Sequence, residues 1–295
     1  MEEAFRRKAS GEADNSPRTR SSAPGAVLNV MHACLPYIGR GGLKCYLSSR
    51  TGTRFVFVLF DLSDGKPLAV MGADSLGRYR TGAASGVATK FLYGRTSARL
   101  AICGSGRQAL AQVLGIAATT SVTSVKVWSP NPEHRDAFCG RLKGKGFDSR
   151  ATGSPAEALA GADVASTITS AKTPFLTPEV LRGLSHLNAC GSNQPDRSEV
   201  SVAGVEGFGS VVVDDIHQAT GEYGDLIQAL KPGGFSWDLV TELKDVVAGK
   251  ARPLKGPTLF KSGGVALEDV AVGNMVYEKA LNSGRYTDSA FVNLP

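Results

Sequence analysis

The stretch Arg99–Ala109, RLAICGSGRQA, decides the fold. Leu100 to Cys103 form the short apolar run of a buried strand, and the chain then turns through Gly104, Ser105 and Gly106. From Arg107 to about Ala118 the apolar residues recur at helical spacing. Strand, glycine turn and helix in this order open a dinucleotide-binding Rossmann domain: the glycines let backbone N–H groups approach a pyrophosphate lying on the positive end of the helix. Ala109 stands where the fingerprint has its third glycine, so the turn alone also fits a tight connection without a ligand. A second strand about twenty residues further on favours the cofactor reading.

On the C-terminal side, strands and helices alternate. Strand Val125–Trp128, helix Pro132–Lys143, a short strand Ser149–Ala151, helix 155–160 and the apolar strand Ala162–Ile168 are followed by HLNACG (186–191) and SVVVDD (210–215). Six strands with intervening helices predict a doubly wound parallel sheet over residues 92–263. On the N-terminal side, AVLNVMHAC (26–34), GLKCYLSS (42–49), RFVFVLFDL (54–62) and LAVMGA (68–73) predict antiparallel strands, and the Ser-, Pro- and Asx-rich residues 12–26 predict a loop. A helix is predicted from Thr81 to Gly94. The tail VALEDVAVGNMVYEKALNSG (265–284) predicts a long amphipathic helix with Val265, Leu267, Val270, Val272, Met275, Val276 and Leu281 on its apolar side. The fold class is therefore α/β, with a smaller α+β domain built from residues 1–91 and the returning segment 264–295.

With 295 residues the chain has room for two such domains. Its net charge of +6 is spread along the sequence, which reads as solvated surface plus attraction for an anionic substrate or cofactor; no nucleic-acid partner is expected. Cys34, Cys45, Cys103, Cys139 and Cys190 lie far apart without a C-x-x-C pair, so neither disulfides nor a zinc site is indicated, and each reads as a small buried hydrophobe. The four histidines lack metal-ligand spacing, and no metal is expected. The start lacks the apolar core of a signal peptide and the run Phe55–Phe60 is too short for a bilayer, so the expected location is the cytoplasm, with no membrane partner.

At the end of the second Rossmann strand, where a carboxylate usually holds the ribose 2′-hydroxyl, stand Ser129 and Asn131, with His134 and Arg135 behind. Without that carboxylate a 2′-phosphate is not repelled, and Arg135 can pair with it, which favours NADP(H) over NAD(H). Both His134 and Arg135 also fit exposed positions on the next helix. Thr169 and Ser170, and the segment 191–193, lie at strand ends where a doubly wound sheet presents its cofactor.

Four stretches in order, RTGAASGVATKFL (80–92), LAICGSGRQA (100–109), VVVDDIHQATGEYGDL (211–226) and TLFKSGGVALEDVAVGNMVYEKA (258–280), resemble the ornithine cyclodeaminase and mu-crystallin family. The resemblance covers nearly the whole chain. It implies a homodimer whose first domain supplies the substrate pocket and subunit contacts, and hydride transfer at the α-carbon of an amino or imino acid. Members include ornithine and lysine cyclodeaminases, an archaeal alanine dehydrogenase, NADPH-dependent ketimine reductases, and mu-crystallins able to store ligands.

By that resemblance Lys44 and Arg80, with Arg18, hold the substrate carboxylate, and Lys44 and Asp225 are the catalytic candidates, Asp225 serving the nitrogen proton with Glu222 as a nearby competitor. An α-imino carboxylate does need such an anion clamp to aim its C=N carbon. Taken alone, Lys44 reads as a surface lysine on an edge strand, and Asp225 as an N-cap of LIQAL. Thr81, at the start of its helix, fits a cap or a donor to cofactor phosphate. The turn FKSGG allows close backbone approach at Ser262 and Gly263, or is a plain hinge. The cofactor set is then Thr81, Gly104, Ser105, Gly106, Arg107, Gln108, Ser129, Asn131, Arg135, Thr169, Ser262 and Gly263. Two departures stand out: relatives usually carry twenty or more residues ahead of the helix at Met1, which touches the subunit contact, and the short span between Lys44 and Arg80 bears on pocket size.

Overall fold

The computed structural model describes residues 1–288; residues 289–295 of the expected first domain lie outside the described residues. The chain opens with helix α1 (Glu2–Ala9) and a sheet of six antiparallel strands: β1 (Asp14–Asn15), β2 (Thr19–Ala23), β3 (Ala26–Leu35), β4 (Arg40–Ser49), β5 (Gly52–Asp61) and β6 (Pro67–Gly72). Strands β1 and β2 pair in succession along the free edge of β3, where a loop was expected. Their residues are almost wholly exposed, so no alternation of apolar and polar positions marks them. Helix α2 (Asp74–Leu92) follows and starts seven residues before the expected Thr81, because Gly77, Arg78, Tyr79 and Arg80 interrupt its apolar spacing.

The second sheet has eight parallel strands rather than six. In chain order come β7 (Ser97–Cys103), α3 (Ala109–Ala117), β8 (Ser121–Trp128), α4 (Pro132–Lys143), β9 (Ser149–Ala151), α5 (Pro155–Leu159), β10 (Val164–Thr167) and β11 (His186–Ala189). Then follow α6 (Val202–Glu206), β12 (Ser210–Val213), α7 (Ile216–Glu222), α8 (Gly224–Ile227), β13 (Val240–Glu242), α9 (Leu243–Val247), β14 (Thr258–Lys261) and α10 (Ala266–Ser283). The spatial order is β13-β12-β14-β11-β10-β7-β8-β9, so strand order reverses between β7 and β10, where a doubly wound sheet forms its ligand crevice. The two strands that sequence reading missed are only three and four residues long, yet β14 sits between β11 and β12 and carries FKSGG to the carboxyl edge.

Packing ties the two sheets together. Phe5 of α1, Met31 and Phe57 of the antiparallel sheet, Val87 of α2, Leu267 and Val270 of α10, and Val212 and Phe260 of the parallel sheet share one core. Leu100, Ile102, Val125 and Val127 form a second core against α3 and α4, while Leu187, Val213 and Leu259 face a third on the opposite side. These strands are buried on both faces, which explains their uninterrupted apolar runs. Helices α2 and α3 meet backbone to backbone: a Cβ on Gly115 would lie 1.9 Å from the Gly82 carbonyl oxygen, so only glycine permits the approach. Since α2 carries Arg80 and α3 follows the glycine turn, this contact couples the two halves of the site.

Two smaller expectations change. Cys34 is exposed and Cys45 half-buried, whereas Cys103, Cys139 and Cys190 are buried as expected. On α10, Met275, Val276 and Leu281 are exposed, and the buried side instead includes Glu268 and Asp269. Among the described residues no helix is long and apolar enough to cross a membrane.

Candidate active site

Two cavities lie near the carboxyl edge of the parallel sheet, lined by neighbouring stretches of chain. The first, about 420 Å³, is enclosed by Gly104–Gly106 after β7, Trp128–Asn131 after β8 and Ile168–Ala171 after β10. Gly104 adopts φ +114°, and a Cβ there would lie 2.6 Å from the Ile168 carbonyl oxygen, so the turn demands glycine for both reasons. Its N–H donates to the Trp128 carbonyl at 2.8 Å, and Ser105 Oγ bonds Ser129 Oγ at 2.8 Å. A Cβ on Gly106 would meet nothing within 4 Å, so the wall is left bare where it faces the cavity. That bare glycine wall, at a strand-to-helix turn over the switch point, fits the pyrophosphate and adenosine half of a dinucleotide.

The second cavity, about 220 Å³, lies between the antiparallel sheet, α2 and the turn after β14. Arg18, Lys44, Arg80, Thr81, Arg107, Gln108, Ser262 and Gly263 all line it. Lys44 is buried on β4, a strand paired on both sides and not an edge, and its Nζ lies 2.8 Å from Asp269 Oδ1. Arg80 donates through Nε to Asp269 Oδ1 at 2.9 Å and through Nη1 to Glu268 Oε2 at 2.7 Å. Among the described residues Arg80 Nη2 has no protein partner. Burial, followed by the Arg80 charge, pushes the Lys44 ammonium down to about 8 against the pull of Asp269. Burial likewise pushes the Glu268 carboxyl up to about 7 despite Arg80.

Arg18 is held more completely. It pairs with Glu222 through Nη1 and donates through Nη2 to the carbonyls of Gly263 at 2.9 Å and Gly264 at 3.1 Å. Glu222 also meets Arg20 at 2.6 Å. The turn Ser262–Gly264 is no loose hinge, because Asp214 Oδ2 accepts from Ser262 Oγ at 2.8 Å and from Gly264 N at 2.9 Å, while Tyr223 OH donates to Asp214 Oδ1.

Other expected residues take local roles different from those expected. Thr81 is mid-helix, and its hydroxyl donates to the Gly77 carbonyl at 2.8 Å, so it caps nothing. Asn131 caps α4 by accepting from His134 N at 3.0 Å, and Arg135 folds back onto the Ser129 carbonyl at 3.3 Å. Thr169 lines the glycine-turn cavity but is itself fastened to Glu199 by its N–H at 2.8 Å and its hydroxyl at 2.6 Å. Asp225 neither lines a cavity nor caps a helix: its Oδ1 accepts from Glu199 N at 2.6 Å and Val200 N at 2.9 Å, and its Oδ2 lies 2.7 Å from Lys261 Nζ. This carboxylate is engaged inside the protein rather than turned toward a substrate.

Sequence reading missed Asp214, Glu268 and Asp269. An acidic pair in the first turn of α10 is ordinary complementation of the helix dipole, so nothing in its pattern set it apart. Asp214 could have been noticed as a polar residue at the carboxyl end of an apolar parallel strand.

Residues 1–284 match the ornithine cyclodeaminase/mu-crystallin family. The chain belongs to that family. It is 33% identical over 234 residues to a delta(1)-pyrroline-2-carboxylate reductase of Bacillus thuringiensis subsp. konkukian, covering 78% of this chain and 72% of the relative. The solved delta(1)-pyrroline-2-carboxylate reductase of Thermococcus litoralis, in complex with NADH and L-proline, superposes with a TM-score of 0.91 at 29% identity, over 98% of this chain and 93% of that one. An archaeal alanine dehydrogenase dimer with bound NAD superposes with a TM-score of 0.89 at 29% identity, over 99% and 92% of the two chains. This chain thus shares its overall architecture with these two solved structures, one holding NADH and the other NAD.

Proposed function

We propose that this protein is an NAD(P)H-dependent oxidoreductase acting at the Cα–N bond of an amino or imino acid, and that its substrate is a cyclic ketimine carboxylate such as pyrroline- or piperideine-2-carboxylate. The observation that carries the reading is the buried Lys44–Arg80 pair, backed by Asp269 and Glu268 and placed in one cavity with Arg107, Gln108 and Ser262. Buried cations fixed from behind by carboxylates, with donors left over in front, form a preorganised clamp for a carboxylate. The family relatives named above include reductases of such an imine and a structure with NADH and L-proline, which supports this substrate class.

In the proposed reaction Arg80 Nη2 and Lys44 hold the substrate carboxylate, with Arg18 completing the positive wall. The cofactor, when bound, supplies hydride to the imine carbon. Gly104, Ser105, Gly106, Ser129 and Thr169 hold its adenosine and phosphate half, and Arg107, Gln108, Ser262 and Gly263 its nicotinamide half. The imine nitrogen needs a proton, and with Asp225 engaged elsewhere Lys44 is the group placed to give it. Its lowered proton affinity puts the ammonium within reach of working pH. NADP(H) is the proposed preference, since Ser129 and Asn131 offer no carboxylate to repel a 2′-phosphate.

A homodimer is proposed on the face of the antiparallel sheet away from Lys44. Leu28, Leu47, Val56 and Val70 alternate onto that face and are 39–55% exposed, a cluster that a second copy would cover. The cytoplasm is the proposed compartment. The deciding assay follows NAD(P)H absorbance with pyrroline- or piperideine-2-carboxylate: steady cofactor consumption supports the reductase. Conversion of ornithine to proline and ammonia on catalytic NAD, without net cofactor loss, overturns it for a cyclodeaminase. Cofactor binding without turnover on a broad imine panel leaves a ligand-binding protein.

A further inference from the structure

Beneath the cleft lies a second buried charge cluster that the reaction does not touch. Glu199, Asp225 and Lys261 come from the segment after β11, from α8 and from the last residue of β14, and all three are at most 1% exposed. Each charge is met by protein groups rather than by solvent. Glu199 Oε1 accepts from Thr169 N at 2.8 Å and from Thr169 Oγ1 at 2.6 Å, just past β10. Its Oε2 accepts from Thr167 Oγ1 at 2.7 Å and from Gly191 N at 3.0 Å, just past β11. Lys261 Nζ reaches Asp225 at 2.7 Å and donates to the Ser192 carbonyl at 2.8 Å. Asp225 closes the ring on the backbone of Glu199 and Val200.

The cluster therefore fastens the carboxyl ends of three adjacent strands, β10, β11 and β14. Those ends continue directly into cavity walls: Thr169 and Ser170 in one, Gly191, Ser192 and Ser262 in the other. Buried ion pairs of this kind are costly to desolvate, and a well-packed apolar set of similar volume would often be as stable or more so. What an ionic ring gives in addition is direction, because each oxygen selects one donor and so one position of the backbone that carries it. Gly191 fits this tightly: a Cβ there would lie 2.2 Å from Glu199 Oε1.

We infer that Glu199, Asp225 and Lys261 are positioning residues that hold the floor of the cofactor cleft across β10, β11 and β14, and that Asp225 moves no proton in the reaction. The placement of the nicotinamide over that floor rests on the function proposed above. The mechanism is geometric: loss of one member lets the strand ends relax by fractions of an ångström, which weakens cofactor binding before it affects a correctly bound complex.

The test uses the full chain with Asp225→Asn, which keeps an acceptor for the Glu199 and Val200 amides but removes the charge facing Lys261. Cofactor Kd is read from dihydronicotinamide fluorescence, and kcat with its pH profile at saturating cofactor and imine. The expected result is a Kd about tenfold weaker, kcat within about threefold, and a pH profile that superimposes on the wild type. A fall in kcat of about 100-fold with loss of one limb of the profile would make Asp225 an acid–base group and overturn the inference. Unchanged Kd overturns it equally. Should Asp225→Asn not fold, Glu199→Gln decides in its place: Gln keeps one acceptor for Thr169 and cannot serve Thr167 and Gly191 together. Weaker Kd with retained kcat supports the ring, and wild-type Kd removes it. If wild-type protein binds cofactor but reduces no imine, the proposed activity fails, while the Kd comparison still judges the ring.

Discussion

The two cavities of the cleft are built on opposite principles. The glycine-turn cavity is shaped by backbone: a positive φ at Gly104, a bare wall at Gly106 and short bonds among Ser105, Ser129 and main chain. The cation cavity is shaped by charge: Lys44, Arg80 and Arg18 are each answered from behind by Asp269, Glu268 or Glu222. One region recognises by leaving space and N–H groups, the other by holding buried charges in fixed directions. A change in the first should act on cofactor affinity, and a change in the second on substrate affinity and turnover.

The largest effect is expected at Arg80. Arg80→Ala removes the clamp's guanidinium, and a hydrogen bond to a charged group contributes about 1.5–3 kcal/mol, so losing two costs about 10³-fold in kcat/KM for the imine. Cofactor Kd should stay within about twofold, because Arg80 does not line the glycine-turn cavity. The same variant leaves Glu268 and Asp269 buried without a guanidinium, so a drop in melting temperature should accompany it. A cofactor Kd that worsens as much as the imine KM would show the two cavities to be one unit.

The mirror experiment is Gly106→Val. The side chain has open space within the protein, so folding should be nearly unaffected, but it occupies the wall assigned to the cofactor. Overfilling a site costs about 1–3 kcal/mol, and cofactor affinity should fall by up to about 100-fold. Isothermal titration with NADPH and NADH reads this directly, and unchanged binding would move the cofactor elsewhere.

The contrast also explains what could be read from residues alone. Most of strand β7, the turn and the start of α3 follow one another within RLAICGSGRQA, so the cofactor end was legible in a single window. Residues 44, 80 and 269 come from three elements distant in sequence, and Lys44 acquires its character only when α10 returns to cover β4. No local pattern distinguishes it from a surface lysine, and it was family resemblance that named it. The central strand β14 was passed over because four residues between polar and proline-containing stretches carry no period. Asp225 shows the converse, since its motif was visible while its partners Lys261, Glu199 and Val200 were not.

Titration sharpens the charge-built side. Lys44 must be an ammonium to hold carboxylate and give a proton, and its affinity for that proton is lowered from 10.5 to about 8. Charge is therefore present below that pH and lost above it, so kcat/KM should fall by about tenfold per pH unit beyond about pH 8. Lys44→Arg keeps its charge throughout, and the alkaline limb should then disappear even though turnover is lower. A limb that persists unchanged in this variant assigns it to another group.

The smallest expected effect lies at the rim of the backbone-built cavity. Arg135 stands on the first turn of α4, half-buried, with Nη1 on the Ser129 carbonyl at 3.3 Å. A 2′-phosphate held beyond Ser129 would draw this guanidinium outward, and a partly solvated pair of that kind contributes about 1 kcal/mol or less. Arg135→Ala should therefore weaken NADPH by about fivefold and leave NADH within about twofold, with the difference shrinking as salt rises. Equal losses for both cofactors would mean that Arg135 serves only to tie α4 to β8. The absence of a carboxylate at Ser129 would then permit a 2′-phosphate without selecting it, and discrimination between the two cofactors would have to come from the width of the cavity itself.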